Sequence, residues 1–488
     1  MNARGVLGVI GTALVGLSIG MLLSALVASW YRDGDTAAFL LSAALTAAAG
    51  VAARRIGRDT GDLTIREGYG VVSLAWLAAG LAGAIPFLLT GAIASPTAAL
   101  FESLSGFTTT GATVFDDVET LPHGILFWRA LTQWLGGMGI IVLGVAILPF
   151  LGVGGMQLFR AEAPGPTPER LRPRIAQTAR LLWYVYAGLT GLQALLLVLG
   201  GVSPYEAVTH ALTTLSTGGF STRNASIAAF DSAYIQYVTL GFMYLAGVSF
   251  ALHYRALTSR RPRHVADPEW RFFTAIVLAA AAAIALLAWL GGGQPDAGIE
   301  RTVRDALFQA VSIATTTGYV TYDYELWPLA AQMILLLLMI MGGMAGSTAG
   351  GMKAMRVSVL LRHGLTELRK SVHPRAVVPT RLGRKAVRED VLLNVFGFAM
   401  LYLLLFAGGI LALTLLDHDL PTAVGAAAAT ISNIGPGLGD VGPIDNFGWI
   451  DAPSQLLLSF LMLVGRLEIF TVLLLFHPDL WRGGRRRG

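Results

Sequence analysis

The sequence predicts an all-α integral membrane protein: four pseudo-symmetric repeats of helix, re-entrant pore loop and helix around one pore, preceded by an extra N-terminal helix pair. Three observations predict it. The 488 residues are 54% hydrophobic and only 13% charged, an apolar excess that a soluble core cannot account for. Ten apolar runs approach the roughly 20 residues needed to cross a bilayer. Between them, one short polar, glycine-bearing stretch recurs four times.

The first run, about 6–30, follows Arg4 and is rich in small residues from Ala25 to Ala28. Its length exceeds the roughly 7 to 15 residues of a signal-peptide core, so it is read as a retained helix. With 36–53 it forms a two-helix extension, 1–66. Repeat 1, 67–160, holds runs 69–91 and 127–151; repeat 2, 161–263, holds 178–200 and 234–254. Repeat 3, 264–372, holds 271–291 and 329–350; repeat 4, 373–488, holds 391–416, 454–476 and a basic tail. Arg4 and the segments 54–66, 160–180, 255–271, 353–388 and 482–487 carry 29 of the 35 lysines and arginines. The positive-inside rule makes these the cytoplasmic loops and both termini. The pI near 9.5 thus reports membrane topology, and nucleic acid is not expected as a partner. The chain has no cysteine, and its eight histidines form no metal-ligand cluster.

The loops on the opposite face carry the repeat. After the third, fifth, seventh and ninth runs come SPTAALFESLSGFTTTGAT (95–113), SPYEAVTHALTTLSTGGFS (203–221), RTVRDALFQAVSIATTTGYVT (301–321) and DLPTAVGAAAATISNIGPG (419–437). Three open on a helix-start signal: Ser95 with Pro96, Ser203 with Pro204 and Glu206, and Asp419 ahead of Pro421. From these prolines, 15, 15 and 14 residues lead to Gly111, Gly219 and Gly435. The third copy lacks the proline but places Gly318 after Thr316 and Thr317.

A helix of a dozen residues cannot span, and lipid tolerates irregular backbone only where it is buried in protein or lines an aqueous cavity. Each copy therefore reads as a short descending helix and a strand returning to the outer surface. Four such units around one axis would bring Thr109, Thr110 and Gly111, Thr217, Gly218 and Gly219, Thr316, Thr317 and Gly318, and Asn433, Ile434 and Gly435 face to face. Their carbonyls would form oxygen rings able to replace a cation's water shell. Glycine at the last position permits the required backbone angles and leaves the axis clear. The competing reading makes each glycine an ordinary helix C-cap.

These stretches resemble the Trk/Ktr/HKT superfamily of cation transporters, and most closely its bacterial Trk potassium-uptake membrane subunits. TTTGAT, STGGFST, TTTGY and SNIGPGLG carry the resemblance, with the additional N-terminal helix pair. It implies a pseudo-fourfold pore for K⁺, with Rb⁺ as its flux surrogate, in a bacterial inner membrane. It also implies a homodimer and a separate cytoplasmic nucleotide-binding regulatory subunit of RCK type. Relatives that favour Na⁺ tend to carry serine where Gly111 stands here, which argues against plain Na⁺ selectivity; a Na⁺-permeable or Na⁺-coupled transporter is the nearest alternative. A non-conducting receptor or scaffold would not need four intact filters. A broken-helix transporter of organic solutes would show inverted repeats.

Two further features stand out. The stretch MIMGGMAGSTAGGMKAMR, 339–356, fills the eighth run with Gly342, Gly343, Gly346, Ser347, Thr348, Gly350 and Gly351. At about 1 kcal/mol per glycine relative to alanine, a continuous helix is disfavoured. It reads as a mobile intramembrane loop under the filter acting as a gate, with Lys353 at its cytoplasmic end, a role the resemblance also implies; close packing through small residues is the alternative. Arg466 and Glu468 lie mid-run in the last span, where ionisable residues are expensive and by default functional. The resemblance places a pore-facing arginine at Arg466; the alternative is a structural tie to loop carbonyls, and for Glu468 a structural role is preferred. The pattern GLGDVG, 437–442, fits a dinucleotide fingerprint but lacks any βαβ context. With no P-loop lysine motif either, no organic cofactor is expected in this chain, and the basic loop 353–388 is a candidate docking surface for the regulatory subunit.

Overall fold

The computed structural model describes residues 3–57, 65–146, 171–258, 264–291, 294, 298–376, 378–383 and 385–478. The basic segments 58–64, 160–170, 259–263 and 482–487, and the boundary between repeats 1 and 2, lie outside them. Helices α1 (Ala3–Tyr31) and α2 (Thr36–Ile56) form an antiparallel pair. They cross so closely that a Cβ on Gly11 would lie 2.5 Å from the Gly50 carbonyl oxygen, the small-residue contact expected between helices in lipid. Helix α1 also packs on α3 (Ile65–Leu89) and α5 (His123–Ala146), seating the pair against the first repeat.

Repeat 1 is α3, the short α4 (Pro96–Phe107) and α5. Repeat 2 is α6 (Leu171–Leu199), α7 (Pro204–Leu215), α8 (Ala233–Gly247) and α9 (Phe250–Thr258). Repeat 3 is α10 (Pro268–Leu290), α11 (Ile299–Ala314), α12 (Leu329–Met341) and α13 (Ala354–Val372). A two-residue hairpin, β1 (Arg381–Leu382) with β2 (Lys385–Ala386), leads into repeat 4: α14 (Glu389–Leu415), α15 (Leu420–Ile431), α16 (Ala452–Arg466) and α17 (Phe470–Leu473).

Six described helices are long and apolar enough to cross a membrane, or up to eight if two bent pairs each count as one span. Helix α5 and the α12 segment occupy the fourth and eighth predicted positions. The two bent pairs differ from the continuous runs predicted at 234–254 and 454–476. Helices α8 and α9 meet at 99°, and α16 and the segment from Phe470 to Phe476 at 114°. At the first break the freed backbone groups find partners in the 342–353 loop: Phe250 N donates to Gly346 O (3.0 Å) and Met344 N to Gly247 O (2.9 Å). Broken helices persist in a membrane only where the loosened backbone is satisfied this way. At the second break Glu468 and Ile469 adopt positive φ, 64° and 43°, and Glu468 pairs with Arg356.

The start signals are used as read. Ser95 accepts from Ala98 N, Ser203 from Glu206 N and Asp419 from Thr422 N. The third short helix is longer, 16 residues, and starts after Gly298 with no side-chain cap. Each short helix packs between its own first span and the second helix of the preceding repeat: α7 on α5, α11 on α8, α15 on α12, and α4 on α16. The last pair closes the ring. Outward faces remain apolar, with Leu26, Leu195, Leu286 and Leu403 all exposed, as a lipid-facing surface requires.

Candidate functional site

The four returning loops share one backbone design. Thr109, Thr217, Thr316 and Asn433 each adopt the left-handed region, with φ of 53°, 54°, 56° and 57°. Around them two bonds close every short helix. Thr109 N donates to Gly106 O, Thr217 N to Thr214 O, Thr316 N to Ile313 O and Asn433 N to Thr430 O, over 2.9–3.2 Å. One residue on, Thr110 N reaches Ser105 O, Gly218 N reaches Thr213 O, Thr317 N reaches Ser312 O and Ile434 N reaches Ala429 O, over 2.8–2.9 Å. This is the paired-bond pattern of a Schellman cap, whose left-handed residue is ordinarily glycine. Here it is threonine or asparagine, and the glycine comes two residues later. A β-branched residue there is a steric outlier, with a cost of order 1–3 kcal/mol that surrounding structure must offset. The C-cap reading of the four glycines therefore fails: the cap is already made.

What the glycines do is visible in their neighbours. Gly111, Gly219, Gly318 and Gly435 also have positive φ, 84°, 80°, 79° and 102°. A Cβ on Gly111 would lie 2.1 Å from Gly218 O, on Gly219 1.9 Å from Thr317 O, on Gly318 1.9 Å from Ile434 O, and on Gly435 2.9 Å from Thr110 O. The four contacts run from repeat 1 to 2, 2 to 3, 3 to 4 and back to 1. The middle carbonyls of all four loops thus lie in one closed ring, each against the glycine of the loop before it. All four glycines line a single cavity of about 130 Å³.

Side chains fix this ring, two of them from outside the triplets. Gln133 of α5 donates from Nε2 to Gly218 O (2.7 Å) and accepts from Phe220 N at Oε1 (3.1 Å). Asn433 donates from Nδ2 to Thr110 Oγ1 (3.0 Å) and to Met462 O (2.9 Å), linking loops 4 and 1. Tyr324 donates to Gly437 O (2.7 Å), linking 3 and 4. Gln133, Tyr324 and the Glu102–Arg129 ion pair (2.8 Å) are absent from the sequence reading. Each is far in sequence from what it holds; a buried glutamine and a buried ion pair on apolar helices were the available signal.

Asp116, Asp445, Arg129 and Arg223 also line this cavity. Arg223 is engaged by Glu206 (2.8 Å) and Glu119 (3.4 Å). Burial pushes the Asp445 carboxyl up, the Gly442 amide pulls it back, and Asp440 and Asp323 push it up again. Glu325 is likewise raised, by burial first, against the Gly439 amide (2.7 Å) that bonds it.

Directly against the ring lies the loop between α12 and α13, with positive φ at Gly342, Gly346, Gly351 and Lys353. Gly350 N donates to Thr316 Oγ1 (2.7 Å), and a Cβ on Gly350 would lie 2.1 Å from Ser432 O. Thr348 donates to Leu215 O (3.0 Å) and Ala246 O (3.2 Å). Gly343 also packs closely, a Cβ there lying 3.0 Å from Gly247 O, while Ser347 bonds Met344 O (2.6 Å). Lys353 turns back onto Ala349 O. Arg466, 3% exposed, donates from Nη1 to Thr348 O (2.6 Å), and its Nε and Nη2 have no hydrogen-bond partner among the described residues. The tie to a loop carbonyl that was the alternative reading of Arg466 is thus present, made by one nitrogen of three. Glu468 bonds Arg356 and not Arg466, consistent with a structural role.

A family model described as TrkH, cation transport protein, matches residues 36–482. The chain is 42% identical to the Trk system potassium uptake protein TrkH of Salmonella typhimurium, with 99% of this chain and 100% of that protein aligned. It is 34% identical to the Trk system potassium uptake protein TrkG of Escherichia coli K12, over 95% of this chain and 96% of that one. The crystal structure of the potassium transporter TrkH from Vibrio parahaemolyticus matches with a TM-score of 0.91 at 40% identity, covering 99% of this chain and 100% of that one. The repeat architecture and the whole-length likeness agree, and the chain belongs to the TrkH family of cation transport proteins.

Proposed function

We propose that this chain takes up K⁺ across a bacterial inner membrane through the four-loop filter. The observation that carries the reading is the closed ring of Gly111, Gly219, Gly318 and Gly435 against the middle carbonyls of successive loops. Carbonyl rings of this kind coordinate a dehydrated cation by replacing its water shell. The names of the relatives, Trk system potassium uptake proteins, support K⁺ as the ion. In this reading the 342–353 loop is the gate, Arg466 a positive charge that paces cations beneath the filter, and both termini are cytoplasmic. A homodimer and a cytoplasmic RCK-type nucleotide-binding partner complete it, the partner docking on the basic face 353–388.

Growth of a K⁺-uptake-deficient bacterium on low K⁺, with the chain expressed alone and with a ring subunit, tests the function. Rb⁺ and Na⁺ flux into proteoliposomes tests the ion. Rescue with Rb⁺ preferred supports the reading; Na⁺ preferred replaces it with a Na⁺-permeable transporter, and absence of both fluxes leaves a non-conducting scaffold.

A further inference from the structure

Single hydrogen bonds from Tyr319, Tyr324 and Asn433 bridge the other loop pairs, but behind the first two filter loops stands a buried Arg–Glu ion pair that the other pairs lack among the described residues. Arg129 and Gln133 sit one turn apart on α5, on one helix face. Arg129 is 2% exposed and Glu102, on the short helix α4, is fully buried. All three guanidinium nitrogens are used: Nε to Glu102 Oε1 (2.8 Å), Nη2 to Thr113 Oγ1 (3.0 Å) and Nη1 to Ser221 O (3.3 Å). The Glu102 carboxylate accepts in turn from Thr113 Oγ1 (3.1 Å) and Val114 N (2.9 Å). Thr113 and Ser221 each stand two residues beyond a filter glycine, Gly111 and Gly219. The guanidinium plane also lies 4.1 Å from the ring centre of Phe220.

The equivalent position in the other repeats, nine residues before each filter glycine, shows that this is one quadrant's solution. In repeat 2 it is His210, whose Nε2 lies 3.0 Å from Ser221 Oγ. In repeat 3 it is Gln309, donating to Tyr322 O (3.1 Å). In repeat 4 it is Ala426, with no polar atom to offer. Among the described residues, repeat 1 alone pairs a carboxylate at this position with an arginine that reaches on to the neighbouring loop.

We infer that Arg129 is a positioning residue for ion selectivity: through Glu102, Thr113 and the Ser221 carbonyl it fixes the spacing between the first and second filter loops. The inference rests on the proposed filter. A fork of planar donors is suited to this because it holds three acceptors at fixed relative positions, which a lysine's point charge does not. A shift between the two loops changes where the Gly218 carbonyl stands relative to Gly111, and so changes the oxygen ring itself.

The test is Rb⁺ and Na⁺ flux into proteoliposomes for wild type, Arg129→Gln, the pair Glu102→Gln with Arg129→Gln, and Gly111→Ser, with thermal stability of each purified protein. The paired variant removes both charges, so it avoids the unpaired buried carboxylate that can unfold the single one. The expected result is a Rb⁺ to Na⁺ ratio at least fivefold below wild type in the paired variant, with thermal stability closer to wild type than that of Arg129→Gln. A folded paired variant with the wild-type ratio, while Gly111→Ser loses it, overturns the inference and leaves the filter standing. A wild-type protein without Rb⁺ preference overturns the filter reading and this inference with it.

Discussion

The two halves of this molecule, the pore-loop side and the opposite side, outer and inner in the proposed orientation, treat the same fourfold repeat in opposite ways. On the outer side the four loops share cap φ angles of 53–57°, a positive-φ glycine two residues on and the same pair of capping bonds. On the inner side the four second helices end differently: α5 runs unbroken to Ala146, α8 bends into α9, α12 stops at Met341 before a loop, and α16 turns away after Arg466. The difference teaches where symmetry is needed. In the proposed filter each quadrant has to offer its carbonyl to the same ion, whereas the proposed gate can obstruct from one quadrant alone.

Breaking the outer equivalence should have the largest effect. Gly111→Ser is expected to lower the Rb⁺ to Na⁺ flux ratio about tenfold or more, corresponding to roughly 1.4 kcal/mol of differential binding, while the protein still inserts. The quadrants are not equally tight. The added carbon would meet a carbonyl oxygen at 1.9–2.1 Å in the first three, but at 2.9 Å from Gly435. Serine at Gly435 should therefore be the mildest of the four, and equal losses at all positions would show that φ, not the neighbouring carbonyl, sets the cost.

Changes to the inner half should move flux and leave the ratio alone. Removal of several residues from 342–351 is expected to give flux that no longer responds to a cytoplasmic subunit; a folded deletion that stays closed argues against the gate. Arg466→Ala removes a positive charge and the bond to Thr348 O, and should raise Rb⁺ flux per folded molecule by about three- to tenfold, a barrier change of roughly 1 kcal/mol. Unchanged flux with a large fall in melting temperature would make Arg466 a structural tie only.

A smaller effect should appear where the halves meet. Thr316→Val keeps the branched shape but removes the acceptor for Gly350 N. Loss of one buried hydrogen bond of about 1 kcal/mol should raise flux in the absence of the cytoplasmic subunit by about threefold, read against wild type at equal protein.

The smallest effect concerns the outer mouth. Glu325 and Asp445 sit above their usual values of 4.5 and 3.8, chiefly through burial. Both become neutral at an external pH where an ordinary carboxylate would still be charged, so acidification weakens the attraction for cations early. Rb⁺ entry at low concentration and low ionic strength should fall by about twofold on external acidification, and at a higher pH than ordinary carboxylates would cause, an effect that salt screens. Glu325→Gln should flatten the profile.

The outer half was legible in the chain because its determinants are local. Pro96, Pro204 and Pro421 sit within two residues of their caps, and Gly111, Gly219 and Gly435 follow at nearly constant spacing. The role of Thr109 and its equivalents as the left-handed caps was not legible, since threonine is a poor candidate for that conformation and only the closed ring over-determines it. The bends after Gly247 and Arg466 were hidden for another reason. LAGVSFALHY stays largely apolar through the first break, and the partners that satisfy its freed backbone lie about a hundred residues away; VGRLEIF marks the second with Arg466 and Glu468, but the Arg356 that Glu468 pairs with is equally remote. Gln133 and Arg129 were missed likewise: composition marks them as costly inside a membrane helix, but nothing nearby names the carbonyl each one meets.

The order in which the ring closes has a consequence for synthesis. Helix α4 rests on α16, and Phe447 N donates to Thr113 O (2.7 Å), contacts separated by more than three hundred residues. The first quadrant therefore enters the bilayer with one flank unsealed and keeps it so until nearly the whole polypeptide has emerged from the ribosome. Long-range contacts of this kind form late and leave polar backbone exposed meanwhile. A chain that stops before residue 452 has three quadrants in hand and still lacks the wall that makes the first one usable.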